Sequence, residues 1–135
     1  MRALIVDDDT IGSRVLAKFL SPYGQCDLVT DGLEAINAFV LASTEKRPYD
    51  VVFLDIMMPE VNGIDVLKAI RGLEEERGIA ADKGVKVIMT TAMNDADVIL
   101  ESFSARCDGY IVKPIRKEQL FEEIRNLGFL PETPR

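Results

Sequence analysis

Five short apolar runs, each followed by an amphipathic stretch, constrain this chain more than any other feature. The clearest is VVFL at 51–54, four consecutive apolar residues bounded by Asp50 and Asp55. An unbroken run of this length with acids at both ends reads as a strand covered on both faces. Residues 3–6 read as a first strand and 11–20 as a helix stopped by Ser21 and Pro22. A weaker strand at 26–29 precedes a helix at 33–43. After the third strand, a helix follows Asn62-Gly63 and carries Val66, Leu67, Ile70 and Leu73 on one side. Residues 85–89 form the fourth strand, 95–105 a helix, and 110–112 the fifth strand. A last helix runs from beyond Pro114 to Leu127, ended by Gly128 and the prolines at 131 and 134. The stretch ERGIAADKG at 76–84 reads as a loop.

Strict alternation predicts an α/β domain, a parallel sheet with helices on both faces and right-handed crossovers. The expected domain spans 1–127, without internal repeats. The tail, 128–135, is too short for an output domain. A chain of 135 residues, 47% apolar, can bury a core, but no apolar run approaches bilayer length. Residues 1–9 lack a signal peptide's basic start and long apolar stretch, so the expected location is the cytoplasm. A net charge of -7 with no dense Lys/Arg block argues against a nucleic-acid surface. Cys26 and Cys107 lie in no CxxC arrangement and are expected to be buried, reduced thiols. The chain has no histidine, which excludes Ser-His-Asp and Cys-His catalysis, a typical zinc site and a phosphohistidine of its own.

The polar residues collect at strand ends. Asp7 and Asp8 end the first strand, Asp55 the third, Thr91 the fourth and Lys113 the fifth. Ligands of open parallel sheets bind beyond these carboxyl ends. Three carboxylates converging there call for a hard cation, and oxygen-only ligation points to Mg2+. With a threonine hydroxyl and a lysine ammonium beside them, the set describes a phosphoryl-transfer site.

Four motifs carry a family resemblance: VDDD at 6–9, FLDIMMPEVNG at 53–63, TTA at 90–92 and GYIVKPI at 109–115. In this order, one per strand end, they make the chain similar to the receiver domain of two-component response regulators, of the free-standing, CheY-like kind. The resemblance implies a flavodoxin-like sheet in the order 2-1-3-4-5 with five helices. It implies that Asp55 is the phosphoacceptor, that Asp7 and Asp8 hold Mg2+ with Asp8 the direct ligand, and that Met57 lends its backbone carbonyl. Thr91 would bind the phosphoryl oxygens, and Lys113 would pair with Asp55 or its phosphoryl group. Lys113-Pro114 would be a cis peptide, and Tyr110 the aromatic whose rotamer follows the threonine. The implied partners are a sensor histidine kinase or a histidine phosphotransfer protein, with no nucleic acid and no membrane. Such a chain is no enzyme beyond its own phosphoryl transfer and slow autodephosphorylation. Output would be protein binding through helix 4, strand 5 and helix 5, as a monomer or a phosphorylation-dependent dimer. Met57 and Met93, two positions beyond the aspartate and the threonine, would border the path of the attacking water.

Plainer readings stand beside these. Asp9, Thr10, Asp31, Asn62 and Asn94 suit helix caps or turns. Thr90 competes with Thr91 as the phosphate hydroxyl. The acids at 74–76 and at 122 and 123 read as solvated helix faces. An EF-hand starting at Asp7 fails at Ile11 and Lys18. A haloacid-dehalogenase-type phosphatase would use Asp7 and Asp9, although Ile11 stands where Thr or Val belongs. A receiver-like interaction module that takes no phosphate is the third reading.

Overall fold

In the computed structural model, which describes residues 1–92 and 96–129, the five runs become five strand-helix units. Met93, Asn94 and the prolines at 131 and 134 lie outside the described residues. The elements are β1 (Arg2–Val6), α1 (Thr10–Leu20), β2 (Gln25–Val29), α2 (Gly32–Thr44), β3 (Val51–Asp55), α3 (Gly63–Glu76), β4 (Lys86–Thr91), α4 (Ala96–Ser104), β5 (Gly109–Val112) and α5 (Lys117–Asn126). All strand pairings are parallel, in the order β2-β1-β3-β4-β5. The expected α/β, flavodoxin-like architecture is the observed one.

Helices cover both faces of the sheet. Leu16 and Leu20 of α1 and Leu120, Phe121 and Ile124 of α5 pack on Ile5, Phe53 and Ile111. On the other face, Phe39 of α2 and Leu67 and Ile70 of α3 pack on Leu4, Leu54 and Met89. Because β3 is central and covered twice, each of its residues is buried, which explains the missing polar alternation. A polar side chain of β3 can therefore survive only at its end, where Asp55 stands.

Most boundaries fall within a residue or two of the sequence reading. β4 runs on to Thr91, the residue that ends it in the sequence reading, and both threonines are inside the strand and buried. Their β-branched side chains suit a pleated strand. Asp9 caps α1 by accepting from the amides of Ile11 and Gly12 at 3.1 and 3.2 Å. Asp31 and Asn62 cap α2 and α3 in the same way. Thr10 is the first helical residue rather than a cap. Cys107 is buried as expected, while Cys26 is only half-buried.

Glu74 corrects the reading of 74–76 as a solvated face. It is buried and accepts from the Arg71 guanidinium at 2.7 Å and from the Val85 amide at 2.7 Å. Arg71 also donates to Asp108 at 3.0 Å and to the carbonyls of Val85 and Arg106 at 2.8 and 3.0 Å. Glu75 and Glu76 are exposed, as expected. Glu123 is half-buried, and burial raises its pKa first, Glu122 second. The Arg71 network ties the end of α3 to the starts of β4 and β5, at the opposite end of the sheet from the acids. Removing one partner of such a pair leaves an uncompensated buried charge. Arg71→Ala is expected to cost about 3–5 kcal/mol in urea unfolding. The double variant Arg71→Ala/Glu74→Ala should cost less than the sum of the single changes. Additive costs would show that the two groups are not coupled.

Candidate functional site

Each candidate side chain is delivered by a strand that ends at the same edge. β1 pairs with β3 through Val6 and Leu54, so Asp7 emerges beside Asp55. Asp55 is in register with Thr90 of β4, and Thr91 with Val112 of β5. The Lys113 amide continues that ladder by donating to the Thr91 carbonyl at 2.7 Å, which sets Lys113 next to Thr91. The peptide bond between Lys113 and Pro114 is cis, as the resemblance implied.

A carboxylate oxygen from each of Asp7, Asp8 and Asp55 lies within 4.8 Å of the others. Asp7 and Asp55 are buried, Asp8 is exposed. Lys113 Nζ is 2.7 Å from Asp7 Oδ2 and 3.5 Å from Asp55 Oδ1. The nearer partner of Lys113 is thus Asp7, where the family resemblance had pointed to Asp55. One ammonium faces three carboxylates, leaving two formal negative charges. The donor set is hard oxygen throughout, and this charge excess suits a divalent cation.

The electrostatic consequence falls on Asp55. Burial, then repulsion from Asp7, pushes its pKa up to about 7 against the opposing pull of Lys113 and the Met57 amide. Lys113 moves the other way: burial works to lower its pKa, but the bond to Asp7 and the nearby carboxylate charges outweigh that and raise it.

The surrounding backbone is tightly fitted. The Asp55 side chain accepts from the Met57 amide at 3.3 Å. A Cβ on Gly63 would meet the Asp55 carbonyl oxygen at 2.2 Å, so only glycine lets α3 start this close to the acid. Met57 itself is 61% exposed at the rim. Tyr110 is half-buried on β5, its ring edge-on to Phe103 of α4 at 6.0 Å between centroids. The phosphatase reading fails here, because the Asp9 carboxylate is committed to capping α1 instead of facing Asp7 as an acid.

Residues 3–125 match the family model of the response regulator receiver domain. The chain belongs to this family. Receivers of this kind are signalling domains of two-component phosphorelays. The DNA-binding response regulator MtrA of Mycobacterium tuberculosis is 34% identical over 125 residues, covering 92% of this chain and 49% of MtrA. Hybrid signal transduction histidine kinase L of Dictyostelium discoideum is 34% identical over 128 residues, covering 94% of this chain and 7% of the kinase. The chain thus spans at most about half the length of these curated relatives. Among solved structures, the Saccharomyces cerevisiae Ssk1 receiver, crystallised with the phosphotransfer protein Ypd1, superposes with a TM-score of 0.82 at 26% identity. That match covers 95% of this chain and 88% of the other. The receiver of the Arabidopsis thaliana histidine kinase CKI1, complexed with Mg2+ and BeF3-, gives a TM-score of 0.79 at 24% identity over 93% and 88% of the two chains. No helix among the receiver's described residues is long and apolar enough to cross a membrane.

The receiver's acidic site carries a pH signature. With its folded pKa near 7, Asp55 keeps a proton that the unfolded chain releases near pH 4. The folded state binds the extra proton between those values, so this group's contribution to stability falls as pH rises from about 4 to about 7. Asp55→Asn is expected to flatten that slope and to stabilise the metal-free protein by about 1–3 kcal/mol at pH 8. Urea unfolding with a chelator at pH 5 and pH 8 measures both. A variant less stable than wild type at pH 8 contradicts the electrostatic account.

Proposed function

We propose that this receiver takes a phosphoryl group onto Asp55 from a phosphohistidine on a sensor histidine kinase or a histidine phosphotransfer protein. Residues 1–127 would form the working unit. The observation that carries this reading is the convergence of Asp7, Asp8 and Asp55 within 4.8 Å, with Lys113 spanning Asp7 and Asp55. Asp7, Asp8 and Asp55, with the Met57 backbone carbonyl, would hold Mg2+, with exposed Asp8 as the direct ligand. Bound there, the ion supplies positive charge to the phosphoryl oxygens and favours the ionised form of Asp55.

The chain's own residues do the rest. An Asp55 carboxylate oxygen forms the new bond to phosphorus as the donor's nitrogen-phosphorus bond breaks. The electron pair stays on the departing imidazole, which takes a proton from solvent. Lys113, within 4 Å of Asp55, can follow the negative charge from the carboxylate onto the phosphoryl group. Thr91 is assigned the phosphoryl contact over Thr90, because it ends β4 beside Lys113 and the exposed Ala92 leaves the space beyond it open. A threonine hydroxyl drawn toward the phosphoryl group vacates space for Tyr110. Moving that ring disturbs its contact with Phe103, and Phe103 and Leu100 are exposed on α4. The switched surface is therefore the α4-β5-α5 face, read by a protein partner or by a phosphorylation-dependent dimer. About 1–3 kcal/mol of coupling is enough for such a response.

Three experiments test this reading. Mass spectrometry after acetyl phosphate treatment should show one Mg2+-dependent phosphoryl group on the wild type and none on Asp55→Asn. Asp8→Ala should bind Mg2+ at least about tenfold more weakly, by fluorescence or chemical-shift titration, while the fold remains intact. Labelling of Asp55→Asn equal to the wild type would sink the assignment. The third experiment concerns the lifetime of the acyl phosphate. Met57 offers the attacking water no hydrogen bond, so dephosphorylation should be slow and should accelerate about tenfold in Met57→Asn. Met93, the other expected neighbour of that path, is tested by Met93→Glu. Unchanged rates in both variants would reduce the methionines to packing.

A further inference from the structure

A net charge of -7 opposes self-association of this chain, yet one face offers a second copy an uncharged stripe to approach. No charged residue occurs on α2 from Ala35 to Thr44, in a sequence that is 29% charged. Leu33 and Leu41 are 61% and 58% exposed, and Ile36 and Val40 are half-buried. Their spacing sets them along one outer stripe of the helix. Lone exposed leucines are ordinary; an uncharged stripe three turns long is a candidate contact surface.

The ends of that stripe carry opposite net charge, since Lys46, Arg47 and Arg77 outweigh the exposed cap Glu45 at its end. An open groove of about 360 Å3 beside the start of α2 is bordered by Asp31, Glu34 and Glu60, all acidic. A second groove of about 480 Å3 beside its end is bordered by Lys46 and Arg77, both basic. Each groove also has an apolar wall, Leu33 and Val61 in the first, Pro48 and Ile79 in the second. The helix between them is 13 residues, about 20 Å, which is roughly two Debye lengths at physiological salt. Within one molecule the two clusters cannot neutralise each other. A second molecule laid antiparallel brings acidic end to basic end twice.

We propose that a second copy of this chain docks on the α2 face, related by a two-fold axis that crosses the middle of α2. Leu33 and Leu41 of the two copies cover the shared stripe, and Glu34 of each pairs with Lys46 of the other. Such an isologous contact is self-complementary, as a two-fold axis requires. One helix face with two grooves buries less than the ~1,200–2,000 Å2 of a stable interface, so the dimer is transient and concentration-dependent. Because α2 flanks the β2 edge of the sheet and α4 the β5 edge, the contact leaves the α4-β5-α5 face free and needs no phosphorylation.

Sedimentation velocity on the full, untreated chain from about 10 μM to about 1 mM tests the proposal. The expected result is a mass that climbs from monomer toward dimer. Glu34→Lys and Lys46→Glu should each weaken association about tenfold, and Leu41→Glu should abolish it. The double variant Glu34→Lys/Lys46→Glu should recover to within about threefold of wild type, because the exchanged charges pair again across the axis. Circular dichroism melts confirm that each variant is folded. A wild type that stays monomeric at every concentration overturns the proposal. So does a double variant as weak as the two single changes combined, or a dimer that survives Leu41→Glu.

Discussion

A parallel sheet covered on both faces leaves polar side chains only one place to go, and the whole molecule is arranged around that constraint. The interior of β3 is apolar because helices occupy both of its sides. Charge is therefore expelled to the strand ends, and parallel strands send all of their carboxyl ends to the same edge. Asp7, Asp55, Thr91 and Lys113 meet there although as many as 106 residues separate them along the chain. The site results from the topology as much as from the residues that occupy it.

That gathering has a cost which the fold does not remove. Three carboxylates share one ammonium, and burial first, then the Asp7 charge, pushes the Asp55 pKa up to about 7. A better-compensated cluster would fold more readily, but it would attract neither a cation nor a phosphoryl group. Lys113 limits the repulsion by holding Asp7 at 2.7 Å while staying 3.5 Å from Asp55, so Asp55 keeps the looser of the two contacts. The unfilled electrostatic demand at the edge is thus the chemical content of the site.

How much of this was legible in the sequence depended on whether the signal was local. VVFL with flanking acids disclosed a doubly covered strand, and the residues after each run disclosed the edge that would collect the acids. Asp31 and Asn62 betrayed helix starts because a cap bonds to amides only a few residues away. Glu74 did not betray its burial. Its spacing from Leu67 and Ile70 sets it on the buried stripe of α3, but an acid beside Glu75 and Glu76 reads as solvated until the Arg71 guanidinium and the distant Val85 amide give it buried partners. The choice between Thr90 and Thr91 stayed open in the sequence, since both stand at the strand end until neighbours on both sides supply the ladder. The preference of Lys113 for Asp7 turns on distances below an ångström, which residue identity does not encode.

The Arg71 network has a mechanical meaning as well as a stabilising one. By gripping the carbonyl of Arg106 and the carboxylate of Asp108, it clamps the segment that joins the end of α4 to the start of β5. The opposite end of α4, at Ala96, lies on the side of the carboxyl end of β4. A helix fixed at one end responds to a push at the other by pivoting rather than sliding. Displacement then grows with distance from the fulcrum, is smallest at Ser104, and is largest at Ala96, about two turns before Phe103. Small atomic shifts at the acidic edge would thereby be delivered as a tilt, with the exposed Leu100 sweeping a longer arc than the anchored end ever travels.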